Sequence, residues 1–368
     1  MKIKISKDEL QKSLSDIQGI IEKKTTMPIL SHFLMDIKHG GCTLYATDLG
    51  TGIKKPVKML EIIEEGAFCV SATRLYDIVR EVQEDLVIEY EDQEWIKIRS
   101  GRTNYRIAAL NPDDFPLWPK IDDEKLIKIN SMALLSMIEK TVNCTGENDP
   151  RYALNGVLLH VQGELKRITM VGTDGHRLSS VSKEIDLEFS DDIKIIIPRK
   201  AAFELKKQLT DIDQELTLNI SKNHIKLNLE DREFLAKLIE GTYPNYDQVI
   251  PKNNDITAYL DREIFIGVLR RVGVMSKEKS HAVRIDFKEG ALSVFANDPE
   301  IGEASDFMDV DYSGEPLTLG FNAKYILEAL IIMNGKNVAF QLKDTLSPTL
   351  LTEETDKDYK CVLMPMRV

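Results

Sequence analysis

A carboxylate, an imidazole and a guanidinium lie within four residues of one another at Asp174, His176 and Arg177, with Gly175 among them. Side chains of these types can form a general acid/base site or an anion site, and the glycine allows the backbone to turn. The same residues could equally form a turn after the strand-like run 167–171. Asp174 would then accept hydrogen bonds from local backbone N–H groups, and His176 and Arg177 would project at the surface.

No further group in the sequence completes a catalytic site. Ser179 or Ser180 could add a hydroxyl beside His176, but neighbours on one strand point to alternate faces. Residues 50–55 resemble a phosphate-binding loop, yet they lack its third glycine and open no helix. The six histidines form no H-x-x-x-H pair, and the acidic runs suit solvated loops better than metal sites. We therefore predict a protein that is not an enzyme and needs no metal or cofactor.

The composition is that of a globular protein with more than one core. The chain has 368 residues, 43% of them hydrophobic and 29% charged, and this length suits two or three domains. Its longest apolar runs are too short to cross a bilayer, and the N-terminus has no signal-peptide core. We therefore expect a cytoplasmic protein with no membrane partner. The cysteines have no C-x-x-C spacing, which argues against disulfides and zinc: Cys42, Cys69, Cys144 and Cys361.

The turn that contains Asp174 has two sister turns, at Asp48 and Asp298, and the three lie 126 and 124 residues apart (174 − 48 and 298 − 174). Each follows a predicted hairpin, and each is surrounded by two helix patterns and several alternating strand patterns. Spacing of this kind indicates a threefold repeat of whole domains. We predict an α+β fold in which each domain has two helices and two antiparallel sheets. The predicted domains are residues 1–126, 127–253 and 254–368.

Apolar residues at helical spacing predict six helices, at residues 6–21, 71–82, 131–142, 198–209, 262–275 and 322–333. Basic residues are frequent on their outer faces, although the whole chain carries a net charge of −12. These faces could simply be solvated. If the helices share one side, however, that side is positive and would attract a polyanion through its phosphates, without regard to sequence.

The threefold repeat and four segments closely resemble the bacterial DNA polymerase III β subunit family, the sliding clamps: residues 151–156, 173–178, 198–200 and 362–368. The resemblance covers the whole chain. It implies a head-to-tail homodimer whose six domains close into a ring, with helices lining the hole and sheets outside. Such a ring encircles double-stranded DNA and has no catalytic activity of its own. The implied partners are a second copy of the chain, the DNA polymerase III catalytic subunit, the clamp loader, and other polymerases and repair proteins that carry short linear motifs.

The resemblance also implies three sets of site residues. A peptide-binding pocket on the middle and last domains would comprise Leu154, Thr173, Gly175, His176, Arg177, Leu178, Pro244, Val249, Pro348, Val362, Met364, Pro365, Met366 and Arg367. The implied DNA-binding residues are Lys24, Arg74, Arg80, Arg151, Tyr152, Arg199, Lys200 and Lys206. The implied dimer interface joins Arg74, Tyr105 and Ile107 of one subunit to Val274, Met275, Glu300 and Glu303 of the other.

The side chains of the implied pocket suit a binding site for several partners. Two methionines among leucines and valines form an adaptable apolar surface, and Arg177 and Arg367 could hold polar groups at its rim. The sequence departs from some relatives at four positions. Ala153 replaces a residue that contacts DNA in some relatives. The other three departures bear on which partners the pocket prefers: Gln248, Pro348 and Val368.

Two other classes of function stay open on the sequence. An enzyme or small-molecule binder that uses Asp174 and His176 would show turnover or metal uptake sensitive to His176→Ala. A DNA-binding protein that forms no ring would instead bind linear duplexes with ordinary salt-sensitive affinity.

Overall fold

The computed structural model describes residues 1–22, 26–91, 94–121, 125–276, 280–300 and 302–367. Within these residues lie six α-helices: α1 Lys7–Ile17, α2 Ala72–Glu81, α3 Ser131–Thr141, α4 Arg199–Leu209, α5 Arg262–Gly273 and α6 Ala323–Ile332. The strands, in chain order, are β1 Lys2–Ile5, β2 His32–Lys38, β3 Gly41–Thr47, β4 Thr51–Pro56, β5 Glu61–Glu64, β6 Gly66–Ser71, β7 Leu86–Glu91, β8 Trp95–Ser100, β9 Thr103–Leu110, β10 Lys125–Asn130, β11 Gly156–Gln162, β12 Arg167–Thr173, β13 Arg177–Glu184, β14 Asp192–Pro198, β15 Glu215–Ile220, β16 His224–Leu229, β17 Arg232–Lys237, β18 Ile256–Asp261, β19 Ala282–Lys288, β20 Ala291–Asp298, β21 Gly302–Asp309, β22 Leu317–Asn322, β23 Asn337–Leu342, β24 Thr349–Glu353 and β25 Tyr359–Leu363. None of the described helices is both long and apolar enough to span a bilayer.

The chain divides into two units, each built on antiparallel sheets. The first unit, residues 1–131 and 204–238, holds one sheet in the order β10-β15-β16-β17-β4-β3-β2-β6-β9-β8-β7-β1-β5. The second unit, residues 132–203 and 239–368, holds a sheet in the order β14-β11-β12-β13-β25-β24-β23-β18 and another in the order β21-β20-β19-β22. The pairing between neighbouring strands is antiparallel, so the predicted α+β class with antiparallel sheets is confirmed.

Strands from successive repeats pair with each other, which the sequence-based prediction did not include. In the first unit β4 pairs with β17, where Gly52 lies opposite Leu235. In the second unit β13 pairs with β25, where Leu178 lies opposite Val362. The prediction gave each domain two sheets of its own. In the structure, strands of neighbouring repeats instead belong to one continuous hydrogen-bonded sheet. The physical reason is that pairing satisfies backbone N–H and C=O groups that an edge strand would leave bare.

Helix α1 begins where the sequence predicts but ends earlier. Ser6 Oγ accepts a hydrogen bond from the Glu9 N–H at 3.2 Å, which caps the first turn. The helix ends at Ile17 rather than at residue 21, because Gly19 is a poor helix former. The next isoleucine still reaches the core through a turn, in which the Ile20 N–H donates to Ile17 O at 3.0 Å. Apolar spacing alone therefore overestimated the length of the helix.

One hydrophobic cluster of the second unit packs against the strands that flank the turn at residues 173–178. Strands β13 and β25 both contribute side chains to it, so packing as well as backbone pairing joins these strands. Each fully buried Leu or Val side chain stabilises the fold by about 1.5–3 kcal/mol. The buried members are Leu158, Val171, Leu178, Ile196, Tyr243, Tyr246, Leu350 and Val362.

Gly172 in β12 sets how closely this strand approaches the end of α3. A Cβ atom at Gly172 would lie 2.1 Å from Thr141 O, a backbone atom that cannot move without its helix. We expect Gly172→Ala to lower the free energy of unfolding by about 1–3 kcal/mol, measured by urea denaturation. Gly273→Ala is the control, because a Cβ there meets no atom within 4 Å. Equal stability of the two variants would contradict this account of the strand.

Candidate functional site

The three repeated aspartates form the same kind of turn. Asp174 Oδ1 accepts hydrogen bonds from the N–H groups of His176 and Arg177, at 2.9 and 3.0 Å. Asp48 Oδ1 accepts from the N–H groups two and three residues further on, at 2.9 and 2.5 Å. Asp298 Oδ1 accepts from the N–H two residues further on, at 2.9 Å. The aspartates therefore hold turns, as the second interpretation of the sequence predicts.

Arg177 is buried, which corrects the prediction that it projects at the surface or holds polar groups at a rim. Its side chain is 8% exposed and its guanidinium lies over the Tyr325 ring, 4.1 Å from the centroid. Nε donates to Asp174 Oδ2 at 3.1 Å and Nη1 donates to Glu328 Oε2 at 2.5 Å. Nη2 donates to Asn143 O. Two carboxylates thus already neutralise the charge, and Arg177 acts as an internal support of the turn.

A cavity of about 140 Å³ opens beside the pairing of β13 and β25. Its floor is apolar, since Leu178 and Val362 are each 1% exposed. Its rim carries Val249 and Met364, which are each 40% exposed. We call this cavity the pocket; its lining consists of Arg151, Leu154, Thr173, Gly175, Arg177, Leu178, Pro244, Tyr246, Val249, Val362 and Met364.

The structure brings nine of the predicted pocket residues into this lining: Leu154, Thr173, Gly175, Arg177, Leu178, Pro244, Val249, Val362 and Met364. Five others lie outside it: His176, Pro348, Pro365, Met366 and Arg367. His176 is nevertheless adjacent, because its carbonyl oxygen accepts a hydrogen bond from the Met364 N–H at 3.0 Å. The Met366 N–H donates to Gly320 O at 2.8 Å, which attaches the tail of the chain to the four-stranded sheet.

Tyr246 lines the pocket although the sequence analysis did not select it. Its hydroxyl lies 2.8 Å from His160 Nδ1, and His160 Nε2 lies 2.7 Å from Asp192 Oδ1. Burial raises the pKa of Tyr246 to about 12, so the phenol is neutral at ordinary pH. The sequence did contain one sign of this contact. His160 lies in an otherwise apolar strand, and a buried histidine requires a polar partner such as the Tyr246 hydroxyl.

Arg151, predicted as a DNA contact, also lines the pocket. Its Nη2 donates to Asp174 O at 3.2 Å, and the guanidinium lies against Gly175, where a Cβ atom would be 2.9 Å from Nη2. Gly175 has a φ of +84°, a conformation that glycine adopts without strain. Arg151 therefore joins the turn to the pocket rim, a role for which its position in the sequence gave no sign.

Arg151 also controls the protonation of Asp149. Its Nε and Nη2 donate to Asp149 Oδ1 and Oδ2 at 2.9 and 2.8 Å, and these bonds lower the pKa of Asp149 to about 2. Because the ordinary pKa is about 3.9, this pairing is fully present above that pH and is lost as the pH falls towards 2. We expect the Asp149 carboxylate to titrate near 2 by carbon NMR, and Arg151→Ala to return its midpoint towards about 3.9. An ordinary midpoint in the unaltered protein would contradict this pairing.

The other predicted DNA contacts differ in exposure. Five are exposed: Arg74, Arg80, Arg151, Tyr152 and Lys200. Lys206 is half-buried on α4, and Lys24 lies outside the described residues. Arg199 turns inward, because its Nη1 donates to Val142 O at 2.9 Å and to Thr145 Oγ1 at 2.7 Å. Arg199 therefore supports the segment after α3 and is not one of the exposed cations.

Little in this region suits catalysis or metal binding. Burial raises the pKa of the Cys144 thiol to about 12, so it is no nucleophile near neutral pH. Among the described residues, no three His, Cys, Asp or Glu side chains come together in a way that could hold a metal ion. The arrangement is instead an apolar cavity with a charged, internally paired rim, which is typical of a binding site.

Three family models match successive parts of the chain. They describe the N-terminal, central and C-terminal domains of the DNA polymerase III beta subunit and match residues 1–119, 128–245 and 247–367. The chain belongs to this family. Curated beta sliding clamps of Pseudomonas putida and Escherichia coli K12 are 32% and 31% identical to it, with 100% of each chain covered. The resemblance to the sliding clamps is therefore confirmed.

Solved structures of beta subunits have the same fold. The crystal structure from Pseudomonas aeruginosa has a TM-score of 0.93 and 31% identity, with 100% of both chains covered. The sliding clamp of Bartonella birtlesii bound to griselimycin has a TM-score of 0.95 and 31% identity, again with 100% of both chains covered. The three-domain α+β fold of a beta sliding clamp is thus shared by this chain.

Membership of the family decides between the classes of function that the sequence left open. A beta sliding clamp serves DNA replication as a processivity factor and is not a catalyst. The chain is accordingly a DNA sliding clamp, and the catalytic interpretation of Asp174 and His176 is set aside.

Proposed function

We propose that two copies of this beta sliding clamp associate head to tail in a closed ring, with helices lining the hole, and that the ring encircles double-stranded DNA. The observation that carries this proposal is a pair of unlike strand edges. In the four-stranded sheet β21 is the terminal strand, and Phe307 on it is 76% exposed. In the first unit β9 pairs with β6 only at Ala109 and Leu110, so residues 103–108 have β8 on one side alone. Bare edges of this kind are normally covered.

The two edges are complementary in charge. At one edge, exposed Arg99 lies on β8 and exposed Arg102 lies in the turn between β8 and β9. At the other edge, exposed Glu303 and Asp309 lie on β21. Two different edges on one chain favour head-to-tail association, which gives a ring when the rotation closes. This pairing would place Tyr105 and Ile107 of one copy near Val274, Met275, Glu300 and Glu303 of the other, with Arg74 on the neighbouring helix.

Val274 offers a specific test of the ring interface. Its side chain is 72% exposed, so a charge there costs the single chain little, but it would be buried against Tyr105 and Ile107 in the dimer. We expect Val274→Asp to weaken dimerisation at least about tenfold by sedimentation at micromolar concentration. Leu165→Asp is the control, because Leu165 is 65% exposed and lies outside the interface. A dimer of unchanged strength in the Val274 variant would reject this interface.

The proposed contact with DNA is made to phosphates and is independent of base sequence. A chain with a net charge of −12 must hold its cations locally if it is to bind a polyanion. The exposed cations Arg74 and Arg80 on α2 and Lys200 on α4, with Arg151 beside the pocket, supply such groups. The exposed Tyr152 adds a neutral hydroxyl that can donate to a phosphate. Weak contacts of this kind permit sliding, because the ring rather than affinity retains the DNA. The contact residues proposed are Lys24, Arg74, Arg80, Arg151, Tyr152, Lys200 and Lys206.

We further propose that the pocket binds short linear motifs of the polymerase III catalytic subunit, the clamp loader, and other polymerases and repair proteins. Its apolar floor would receive one or two apolar side chains, and the flexible Met364 at its rim would adapt to different partners. His176, Pro348, Pro365, Met366 and Arg367 would then contact the peptide beyond the floor. The binding affinity of a polymerase-derived peptide tests this role, measured for the unaltered protein, for a deletion of residues 364–368 and for Met364→Ser.

Two broader assignments accompany the proposal. We place the domains at residues 1–126, 127–253 and 254–368. The first boundary lies between the family models that match residues 1–119 and 128–245, whereas the second lies inside the C-terminal model, which begins at residue 247. We also place the protein in the cytoplasm, where chromosomal DNA and the replicative polymerase of a bacterium are found.

A further inference from the structure

The first unit contains a cleft built like the pocket of the second unit. In both, a turn aspartate is followed by a strand that pairs with a strand from the next repeat. The Lys237 N–H donates to Gly50 O at 2.7 Å, just as the Met364 N–H donates to His176 O at 3.0 Å. The segment Phe-Pro-Leu-Trp at 115–118 corresponds to Tyr-Pro-Asn-Tyr at 243–246, which contributes Pro244 and Tyr246 to the pocket.

The corresponding cleft is smaller and differently filled. Gly52 stands where the pocket has Leu178, and the Trp118 ring occupies the space, since a Cβ at Gly52 would lie 2.8 Å from that ring. Trp118 is fixed there by a hydrogen bond from Nε1 to Glu233 Oε1 at 2.7 Å. A cavity of about 60 Å³ is left, enough for part of one apolar side chain. We call this cavity and its surroundings the first-unit cleft.

Two exposed leucines border the first-unit cleft. Leu117 is 95% exposed and Leu49 is 53% exposed. Leu49 also has a φ of +72°, at the position where the pocket has Gly175 with a φ of +84°. This conformation is unfavourable for a residue with a branched side chain, and a glycine would adopt it freely. A strained apolar side chain held at a surface cleft points to a role in binding rather than in folding.

The cleft also differs from the pocket in charge. Lys237 is exposed at the position that Met364 occupies in the pocket, and it lines the cleft together with His224. Lys237 Nζ has no carboxylate within ion-pair distance among the described residues of the first unit. A ligand that carries an apolar side chain beside a negative charge would therefore complement this cleft.

We propose that the first-unit cleft is a second docking site, which binds a short segment of a partner protein through one apolar side chain on Leu49 and Leu117 and one carboxylate on Lys237. The proposal rests on the peptide-binding role proposed for the pocket, whose construction the cleft repeats. A clamp with both sites holds two different partner segments per chain, because the small, basic cleft selects a shorter and more acidic segment than the pocket does.

The test uses the full-length protein with carbon-labelled leucine methyl groups and the probe N-acetyl-Leu-Phe, compared with its carboxamide. We expect the Leu49 and Leu117 methyl signals to shift saturably with the acid. Binding at these signals should weaken about threefold for the carboxamide, and equally for the acid with Lys237→Gln. Leu154 and Leu178 report on the pocket in the same spectra, so the two sites are read separately.

Leu49→Gly separates binding from folding. It removes the apolar side chain and relieves the backbone conformation, so we expect an unchanged or higher thermal midpoint together with binding at the Leu117 signals weakened about tenfold. Binding by this variant equal to that of the unaltered protein would overturn the proposal. Leu49 and Leu117 signals that stay fixed while Leu154 and Leu178 shift would also overturn it and leave the pocket intact. If none of the four leucine methyl signals shifted, the result would contradict the peptide-binding role of the pocket as well.

Discussion

Deletion of residues 364–368 is expected to weaken binding of a polymerase-derived peptide about 100-fold, equivalent to about 2.7 kcal/mol. The deletion removes Met364 from the pocket rim and the tail that Met366 attaches to Gly320. Burial of a methionine side chain by a ligand is worth about 1.5–3 kcal/mol, and central apolar contacts dominate binding energies. The strands beneath stay paired, because Leu178 and Val362 are upstream of the deletion. The peptide affinity is read by fluorescence anisotropy.

Two point variants make this test specific. Met364→Ser should reproduce most of the loss, because Met364 lines the pocket and is 40% exposed before the peptide binds. Leu346→Ser is the matched control, because Leu346 is 76% exposed and outside the pocket lining. Sedimentation and thermal unfolding should show a folded dimer for all three variants. An affinity unchanged by the deletion would contradict the assignment of the pocket.

Replacement of Arg177 by alanine is expected to lower the free energy of unfolding by about 3 kcal/mol. The substitution leaves the side chains of Asp174 and Glu328, which are 15% and 27% exposed, without their shared counter-charge. Removal of one partner from a buried ion pair costs about 3–5 kcal/mol, and the partial exposure of Glu328 places the effect at the lower end. The bond to Asn143 O is lost as well. Urea denaturation followed by circular dichroism measures the change.

Arg151→Ala is the natural comparison for Arg177. Arg151 pairs with Asp149 in a similar geometry, but its side chain is 61% exposed, so we expect a much smaller loss of stability than for Arg177→Ala. The double variant Arg177→Ala with Glu328→Gln should recover part of the stability, because it removes a carboxylate that keeps only the longer 3.9 Å ion pair with Lys324. If the two arginine variants lost equal stability, the internal role of Arg177 would be wrong.

The turn aspartates were predictable because their signal is local. Spacing alone placed Asp48, Asp174 and Asp298 at equivalent positions, and the hydrogen bonds to the following N–H groups are those that aspartate commonly makes in turns. The six helices were likewise predictable from apolar periodicity. Their ends were less so, because Gly19 stops α1 while Ile20 continues to fill the core through a turn.

The burial of Arg177 could not be predicted from the residues near it in the sequence. Its partner Glu328 lies 151 residues further along the chain, and nothing in the turn itself distinguishes a buried arginine from an exposed one. The same limit applies to Arg151 and Tyr246, which line the pocket only because the fold brings their segments to one place. Pairing of β13 with β25 depends in the same way on strands from different repeats, whereas sequence patterns describe each strand separately.

Retention on DNA tests the central claim, a closed ring around the duplex, most directly. The protein would be loaded onto closed circular DNA at moderate salt, isolated with the DNA, and measured again after the circle is cut once. We expect it to remain on closed circles and to be lost within the sliding time once the DNA is linear, since phosphate contacts alone hold it weakly. Equal loss from both forms, or equal retention governed by salt alone, would contradict the ring and favour a DNA-binding protein without topological closure.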